Sequence, residues 1–280
     1  MVGRLGRRIR GFVGCFVWFC LISMKSVDLV YEVYGGDNDY PLIILHGFLA
    51  SSRNWRTVAK RLSADYLVYV LDMRNHGASP HSEQMDYPEM AYDIVCFMDQ
   101  LGLQNAHVLG HSMGGKIAMW LALHHPHRVK NLMVADIAPV NYKHSFDEMI
   151  QSLKQLPLDQ ITNRKNAELY LAEAIPDTAF RQFLLQNLLL KDGCYCWRIN
   201  LDIIQKTAHS IVDFPEYSTQ HYSDKVLFIA GERSTYIDPE AVFKSFPRAK
   251  IVTIPDTGHW LYVEAPDEFC QIINTWLKGE

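Results

Sequence analysis

The sequence is short of three features, and each shortage excludes a class of protein. The 27 lysine and arginine residues do not outnumber the 31 aspartate and glutamate residues, and no basic stripe interleaves with aromatics, so no nucleic-acid partner is expected. The N-terminal apolar run, residues 12–22, spans eleven residues, fewer than the roughly 20 that cross a bilayer, so no integral membrane span is expected. The six cysteines lack the spacing of a disulfide framework.

What the sequence does contain is the composition of one packed domain preceded by a basic segment. Hydrophobic residues make up 49% of the 280 residues, enough for a single large core. Residues 1–26 contain no acidic residue and five basic ones: Arg4, Arg7, Arg8, Arg10 and Lys25. Such a stretch is typical of a targeting segment. We therefore expect residues 1–26 to direct the protein to mitochondria, with secretion or membrane anchoring through this segment as the alternative, and residues 27–280 to fold.

In residues 27–280, short apolar runs alternate with segments of helical period. Seven runs are typical of strands, the first of them at a sheet edge: residues 27–34, 42–45, 67–71, 107–109, 132–135, 226–230 and 251–254. Five segments are typical of helices: residues 54–62, 88–101, 113–124, 239–246 and 266–277. This alternation predicts an α/β fold with a doubly wound, mostly parallel sheet that helices cover on both faces.

The alternation stops at about residues 140–222, where helical patterns follow one another and no strand is evident. We expect an inserted helical cap here, with one helix at residues 178–190. Phe180 and Leu184 share the apolar side of that helix and are candidate substrate-binding residues, although the core of a cap would show the same pattern.

The sequence Gly-His-Ser-Met-Gly at residues 110–114 is a G-x-S-x-G motif between a predicted strand and a predicted helix. A nucleophile in this motif lies on a sharp strand-to-helix turn, which requires glycine on either side. Ser112 is therefore the candidate nucleophile. The N–H of Met113, at the start of the helix, is a candidate oxyanion donor.

Two further motifs follow predicted strands. A His-Gly-Phe turn at residues 46–48 can direct the N–H of Phe48 towards the pocket that Met113 faces, which would complete an oxyanion hole. His259 follows the last strand, at the sheet edge where α/β proteins bind ligands, and comes after Ser112 in the chain order Ser, acid, His. His259 is the candidate general base, and the adjacent Trp260 is, like Phe48, a candidate substrate-binding residue.

The acid that orients His259 is less evident. Ser234, a residue without charge, stands after the strand at 226–230, where a triad carboxylate is usual. Asp136 ends the preceding strand and can approach the same imidazole, so we expect it to be the acid. Asp238 and Glu232 are the alternatives.

Three segments together resemble a known family: Asp-Met-Arg-Asn-His-Gly-Ala-Ser-Pro at 72–80, Gly-His-Ser-Met-Gly-Gly-Lys at 110–116 and Asp-Ile-Ala-Pro-Val at 136–140. They resemble the α/β-hydrolase branch that contains the bacterial esterase YbfF and abhydrolase domain-containing protein 11, and the similarity runs from about Tyr31 to the C-terminus. The resemblance implies a serine carboxyl-ester hydrolase with a helical cap and, as in animal members, a mitochondrial address. It also implies serine at the usual acid position and the aspartate on the earlier strand. Residues 46–50 depart slightly, with His-Gly-Phe-Leu-Ala replacing the commoner His-Gly-Leu-Phe-Gly.

The expected activity is hydrolysis of a small-molecule acyl ester or lipid through an acyl-enzyme on Ser112. A thioesterase or lipid hydrolase with the same triad, and a catalytically idle scaffold that binds a partner, are the alternatives. No cofactor is expected, since neither a G-x-G-x-x-G motif nor a P-loop follows a predicted strand. No metal is expected either, and Lys116 is expected to be a charge on the helix surface or the rim of the site.

The charge pattern predicts where the leader is removed. In protein purified from its native cell, the chain should begin between residues 23 and 27, because the positive charge ends there and the globular pattern begins. N-terminal sequencing measures this. An intact Met1, or glycosylated protein recovered from the medium, would contradict the prediction.

Overall fold

The structure, a computed structural model, describes residues 24–36, 40–216 and 221–279, so most of the expected targeting segment lies outside the described residues. In the described residues the strands are β1 (Tyr31–Tyr34), β2 (Pro41–Leu45), β3 (Leu67–Leu71), β4 (Ala106–His111), β5 (Val129–Ala135), β6 (Leu188–Lys191), β7 (Cys194–Trp197), β8 (Val226–Gly231) and β9 (Ala249–Ile254). The helices are α1 (Arg56–Leu62), α2 (Tyr87–Gln100), α3 (Met113–His124), α4 (Asp147–Lys154), α5 (Arg164–Tyr170), α6 (Thr178–Leu184), α7 (Leu201–Val212), α8 (Pro239–Ser245), α9 (Leu261–Glu264) and α10 (Pro266–Lys278).

Seven strands form one sheet in the order β1-β3-β2-β4-β5-β8-β9. β1 is antiparallel to β3, and the other neighbouring pairs are parallel. The predicted α/β fold with a doubly wound, mostly parallel sheet is therefore confirmed. The first strand is shorter than expected and starts at Tyr31, because the N–H of Val27 donates to the side chain of Asp93 on α2 instead of to a neighbouring strand.

The sheet has a hydrophobic core on each face, which explains why its central strands are apolar without interruption. In β2, Ile43 and Leu45 pack on one side, and Leu42 and Ile44 pack on the other, because successive side chains of a strand point to opposite faces. Helices α2 and α3 contribute to the first core, and α1 and α10 to the second. This two-sided burial fixes the strand register and hence the positions of the strand ends.

The segment between β5 and β8 differs from expectation in one element. The helix predicted at 178–190 ends at Leu184, a single 3₁₀ turn follows, and β6 then pairs antiparallel with β7. The turn between these strands is Asp192-Gly193, with φ of 50° and 80°, and Asp-Gly is a favoured pair for a two-residue hairpin. The expectation of a cap without strands was wrong because the run of leucines was assigned a helical period and the turn was overlooked.

The parallel strands direct the functional loops to one edge. The segments that follow β2, β4, β5, β8 and β9 all leave the sheet at its carboxyl edge, where α/β proteins place ligand sites. Among the described residues, no helix is both long and apolar enough to cross a bilayer.

Candidate active site

Ser112 lies at the turn between β4 and α3, with φ of 52° and ψ of −119°. This conformation is rare for a residue with a side chain, and it needs glycine nearby. A Cβ on Gly110 would lie 2.1 Å from the carbonyl oxygen of Gly114, and a Cβ on Gly114 would lie 2.2 Å from that of Leu45. The N–H of Ser112 donates to the carbonyl of Ala135 on β5 at 3.1 Å, which holds the turn against the sheet.

His259, on the loop after β9, lines the same cavity as Ser112. Its Nδ1 lies 2.7 Å from Oδ2 of Asp136, a fully buried side chain at 0% exposure. An ionised carboxylate only accepts hydrogen bonds, so the hydrogen of this bond belongs to Nδ1. Nε2 of the neutral imidazole is then the nitrogen with a free lone pair.

His111 supports the backbone of the same histidine. Its Nε2 lies 2.8 Å from the carbonyl oxygen of His259, and the two rings are 4.6 Å apart between centroids. Burial lowers the pKa of His111 well below its ordinary value, so the ring is neutral and Nε2–H donates. The loop that carries His259 is therefore fixed from two sides.

The carboxylate of Asp136, which has no contact with solvent, accepts hydrogen bonds from three donors. Besides His259, it accepts from the N–H of Gly231 at 3.1 Å and from the hydroxyl of Ser234. A buried carboxylate needs several such bonds to offset its desolvation. Ser234, at the position where a carboxylate is usual, thus donates to the carboxylate that contacts His259.

The two alternative acids have other partners. The side chain of Asp238 accepts from the N–H of Ala241 at 3.1 Å and caps the N-terminus of α8. Glu232 accepts from the N–H of Asp256 at 2.9 Å. Of the three candidate carboxylates, the structure places only Asp136 against His259.

The loop after β2 is held by His76. Leu49 has a φ of 59°, a strained value for a residue with a side chain, and its N–H donates to Nε2 of His76 at 3.0 Å. Nδ1 of His76 lies 3.0 Å from the carbonyl oxygen of Arg74. Because Nε2 accepts, Nδ1 carries the proton and the ring is neutral. This bond fixes the peptide between Phe48 and Leu49, which is next to the peptide that carries the Phe48 N–H.

A second neutral histidine, His46, ties the same loop to the segment after β3. Its Nε2 accepts from the N–H of Met73 at 3.0 Å, and its Nδ1 lies 2.8 Å from the carbonyl oxygen of Gly47. Burial lowers the pKa of both rings, and that of His76 falls to about 3. Two buried rings that stay neutral at physiological pH therefore shape the candidate oxyanion loop.

Buried charged side chains hold the segment that carries His76, residues 72–76, in place. The carboxylate of Asp72 accepts from the N–H of Ser52 at 2.6 Å and from that of Ala78 at 2.8 Å. Arg74, with no exposed surface, pairs with Asp93 on α2 at 2.7 Å. The Asp-Met-Arg-Asn-His sequence is thus a structural support for the oxyanion loop.

An apolar cavity of about 140 Å³ lies between the carboxyl edge of the sheet and the segment that connects β5 to β8. Of the expected site residues, the cavity is lined by Phe48, Ser112, Met113, Phe180, His259 and Trp260. Leu184 does not line it, because it turns into the hydrophobic core and is 1% exposed. Phe183 takes its place, and its ring lies 5.9 Å from that of Trp260.

Four residues of the cavity wall were not predicted from the sequence. Tyr142, His144 and Phe146 also line the cavity, together with Tyr236, whose ring lies 4.4 Å from that of His259. The first three alternate with polar residues after β5. In an extended segment, such alternation places every second side chain on the same side. This pattern was the signal from which the three residues could have been predicted to share one wall.

Lys116 is not the surface or rim charge that we expected. It lies one turn after Ser112 on α3 and is 1% exposed. The physical reason is that the chain after β5 and the end of α7 cover this side of α3, where the ammonium finds carbonyl acceptors on Val140, Val212 and Asp213. Burial lowers the pKa of Lys116 to about 7, and the nearby charge of Asp213 opposes the shift.

The sequence is similar to a known protein family and to named hydrolases within it. The profile of the α/β-hydrolase fold family matches residues 40–266. The chain is 39% identical to the sn-1-specific diacylglycerol lipase ABHD11 of Danio rerio, over 91% of this chain and 84% of that protein. It is 31% identical to esterase YbfF of Escherichia coli, over 86% of this chain and 94% of that protein. Both relatives belong to the branch that the three sequence segments resemble.

A solved structure is also similar. A marine microorganism esterase superposes with a TM-score of 0.85 and 39% sequence identity, over 89% of this chain and 99% of that chain. The similarity therefore covers the sheet as well as the segment between β5 and β8.

The neutral burial of His76 predicts a pH-dependent stability. With a pKa of about 3 when folded and about 6.5 when unfolded, this residue makes the unfolded chain bind more protons between these values. The free energy of unfolding should therefore fall as the pH falls below about 6.5. His76→Phe should reduce that fall by about 1 kcal/mol per pH unit, measured by urea denaturation at several pH values between about 5 and 7.

A matched control separates this effect from the general response to acid. His209 lies at an exposed position on α7, and His209→Phe should keep the wild-type slope. If wild type and His76→Phe lose stability equally as the pH falls, His76 is not buried in its neutral form.

Proposed function

The chain belongs to the α/β-hydrolase fold family, and we propose that it cleaves carboxylic esters by nucleophilic catalysis at Ser112. It is an esterase- and lipase-type hydrolase, like its named relatives. The observation that carries the catalytic proposal is the bond of 2.7 Å between Nδ1 of His259 and the buried carboxylate of Asp136, beside a serine on a strained elbow. Because His259 lines the same cavity as Ser112 and is held by a buried carboxylate, the arrangement supports proton transfer better than a structural role.

In the proposed first step, Oγ of Ser112 attacks the ester carbonyl carbon while Nε2 of His259 takes the hydroxyl proton. Asp136 holds the hydrogen on Nδ1, so the correct nitrogen is free, and its negative charge stabilises the imidazolium that forms. The carbonyl oxygen becomes an oxyanion, which accepts hydrogen bonds from the N–H groups of Phe48 and Met113. The Met113 group is available because the first N–H of a helix has no partner within the helix.

The tetrahedral intermediate then collapses. The bond to the alcohol oxygen breaks, the proton on Nε2 of His259 passes to the departing alcohol, and the acyl group remains on Ser112. A water molecule enters, gives a proton to His259 and attacks the acyl carbon. Collapse of the second intermediate releases the carboxylic acid and restores the serine.

The cavity supports an apolar acyl group. A dry cavity of about 150 Å³ holds a benzene-sized group, and the volume here is about 140 Å³. The acyl group stays bound between the two steps whereas the alcohol must leave, so we assign the enclosed space to an acyl chain of about six carbons. Longer chains would extend beyond it.

The relatives suggest lipid esters among the substrates. The Danio rerio relative is named a diacylglycerol lipase, and the aromatic and aliphatic lining of the cavity is compatible with a glycerolipid acyl chain. Thioesters are the alternative, since the same residues would attack a thioester carbonyl. A panel of matched oxygen and sulfur esters of one acid separates the two by their kcat/KM values.

Mitochondrial targeting by residues 1–26 is part of the proposal and rests on the basic, acid-free sequence alone. The proposed domain of residues 27–280 includes a cap at about 140–222, formed by α4 to α7 and the β6-β7 hairpin.

The proposal predicts one reactive serine. A fluorophosphonate should form a covalent adduct on Ser112, because an activated nucleophile and an oxyanion hole are both needed for that reaction. Mass spectrometry of the labelled peptide identifies the site. Ser112→Ala should abolish labelling and ester hydrolysis, whereas Ser145→Ala, at an exposed position nearby, should retain both.

Folded wild-type protein that neither reacts with the phosphonate nor hydrolyses short esters would contradict the proposal. That result would instead favour a scaffold that binds a partner without catalysis.

A further inference from the structure

Lys116 is a buried charge one turn after Ser112 that the proposed reaction does not use. Its ammonium lies within hydrogen-bond distance of three backbone carbonyl oxygens, those of Val140 at 2.9 Å, Val212 at 2.8 Å and Asp213 at 3.0 Å. An ammonium has three donors, so three acceptors at these distances satisfy all of them. The group is therefore not free to bind a substrate carboxylate.

The three acceptors come from two distant parts of the chain that meet at one place. Val140 follows β5, where the chain leaves the sheet, and Val212 and Asp213 end α7, where the chain returns towards the sheet. The last carbonyls of a helix lack donors within the helix, and a cation near them is stabilised by the helix dipole. We name the segments 140–142 and 211–214 the cap joint.

The two segments of the cap joint are also bonded to each other. The N–H of Tyr142 donates to the carbonyl of Val212 at 3.1 Å, and the N–H of Phe214 donates to the side chain of Asn141 at 2.7 Å. The two segments therefore form one hydrogen-bonded unit. The ammonium lies 4.6 Å from the centre of the Tyr142 ring, which adds a cation–π contact to the same joint.

The cap joint forms part of the cavity wall. Tyr142, Ile211 and Val212 line the cavity beside Ser112. Lys116 and Ser112 share the first turns of α3, where the N–H of Lys116 donates to the carbonyl of Ser112 at 3.1 Å. One side chain thus connects the helix of the nucleophile to the wall opposite it.

From this arrangement we propose that Lys116 is a specificity-determining positioning residue, which anchors both ends of the cap to α3 and so fixes the wall that limits the acyl chain. The role in specificity rests on the proposed function, whereas the anchoring does not. Tyr87 on α2 gives the joint a further anchor, since its hydroxyl donates to the carbonyl of Ile211 at 2.6 Å. Without Lys116, the joint would keep that bond and lose its connection to the nucleophile.

The test compares Lys116→Met with Lys130→Met in the full chain. Methionine has a similar length but no donor, and Lys130 is an exposed lysine outside the cavity. In Lys116→Met, hydrogen exchange of peptides covering the cap joint should speed up about tenfold or more, while peptides covering β4 and β5 keep their wild-type rates. Lys130→Met should match wild type throughout.

The specificity arm uses p-nitrophenyl acetate and p-nitrophenyl octanoate. A shifted wall alters the fit of the longer chain more than that of the shorter one, and small changes in apolar fit alter kcat/KM about tenfold. The ratio of the two kcat/KM values should change at least about fivefold in Lys116→Met. Wild-type exchange in the cap joint would overturn the anchoring, and a ratio that changes by less than about fivefold would overturn the role in specificity.

Two further measurements keep the test decisive. If Lys116→Met does not fold, the acetylation rates of the lysines in the wild-type protein are measured instead. Lys116 should react about tenfold more slowly than Lys130, because the reagent reaches it only when the cap joint opens. Equal rates would overturn the anchoring. If wild type hydrolyses neither ester and Ser112 is not labelled, the proposed function has failed and the role in specificity with it. The exchange measurement still decides the anchoring in that case.

Discussion

The site depends on one buried carboxylate, that of Asp136, which joins three strand ends. It follows β5, accepts from the N–H of Gly231 at the end of β8, and contacts His259 beyond β9. A carboxylate with no exposed surface is tolerated only where donors replace its lost water. The relative positions of β5, β8 and the His259 loop are therefore set by the same bonds that give the imidazole its orientation.

The neighbouring strand ends share a second constraint. Leu49, Ser112 and Asp136 follow β2, β4 and β5, and each has a positive φ of 50° to 59° despite carrying a side chain. Such residues cost about 1–3 kcal/mol each and persist only where surrounding structure holds them. Here the neighbouring strand holds two of these residues in place. The N–H of Ser112 donates to a carbonyl of β5, and the N–H of Asp136 donates to a carbonyl of β8. The rigid sheet thus supports the strained turns that expose the serine and direct the oxyanion loop.

The fold could be predicted from the sequence because a sheet that is buried on both faces has uninterrupted apolar strands, such as residues 42–45. Short runs of this kind that alternate with helical segments indicate buried parallel strands. The β6-β7 hairpin could not be predicted in this way, since its first three residues, Leu188, Leu189 and Leu190, continue a leucine-rich helical pattern. The burial of Lys116 could not be predicted because its carbonyl acceptors lie 24, 96 and 97 residues away in the chain, and a lysine without such partners is usually exposed. The choice among Asp136, Asp238 and Glu232 depends on distances across the sheet, which sequence spacing does not contain.

The central claim is that the carboxylate of Asp136 orients the imidazole of His259 and stabilises the positive charge that this ring gains during the reaction. The most direct measurement is the turnover of Asp136→Asn at saturating ester, with Asp238→Asn as the matched control and thermal melting to confirm that each is folded. In serine proteases the corresponding change keeps the geometry and lowers kcat about 10⁴-fold. We expect a loss of comparable size for Asp136→Asn and little change for Asp238→Asn, whose carboxylate caps α8. Near-normal turnover of folded Asp136→Asn, with a collapse in Asp238→Asn or Glu232→Gln, would contradict it.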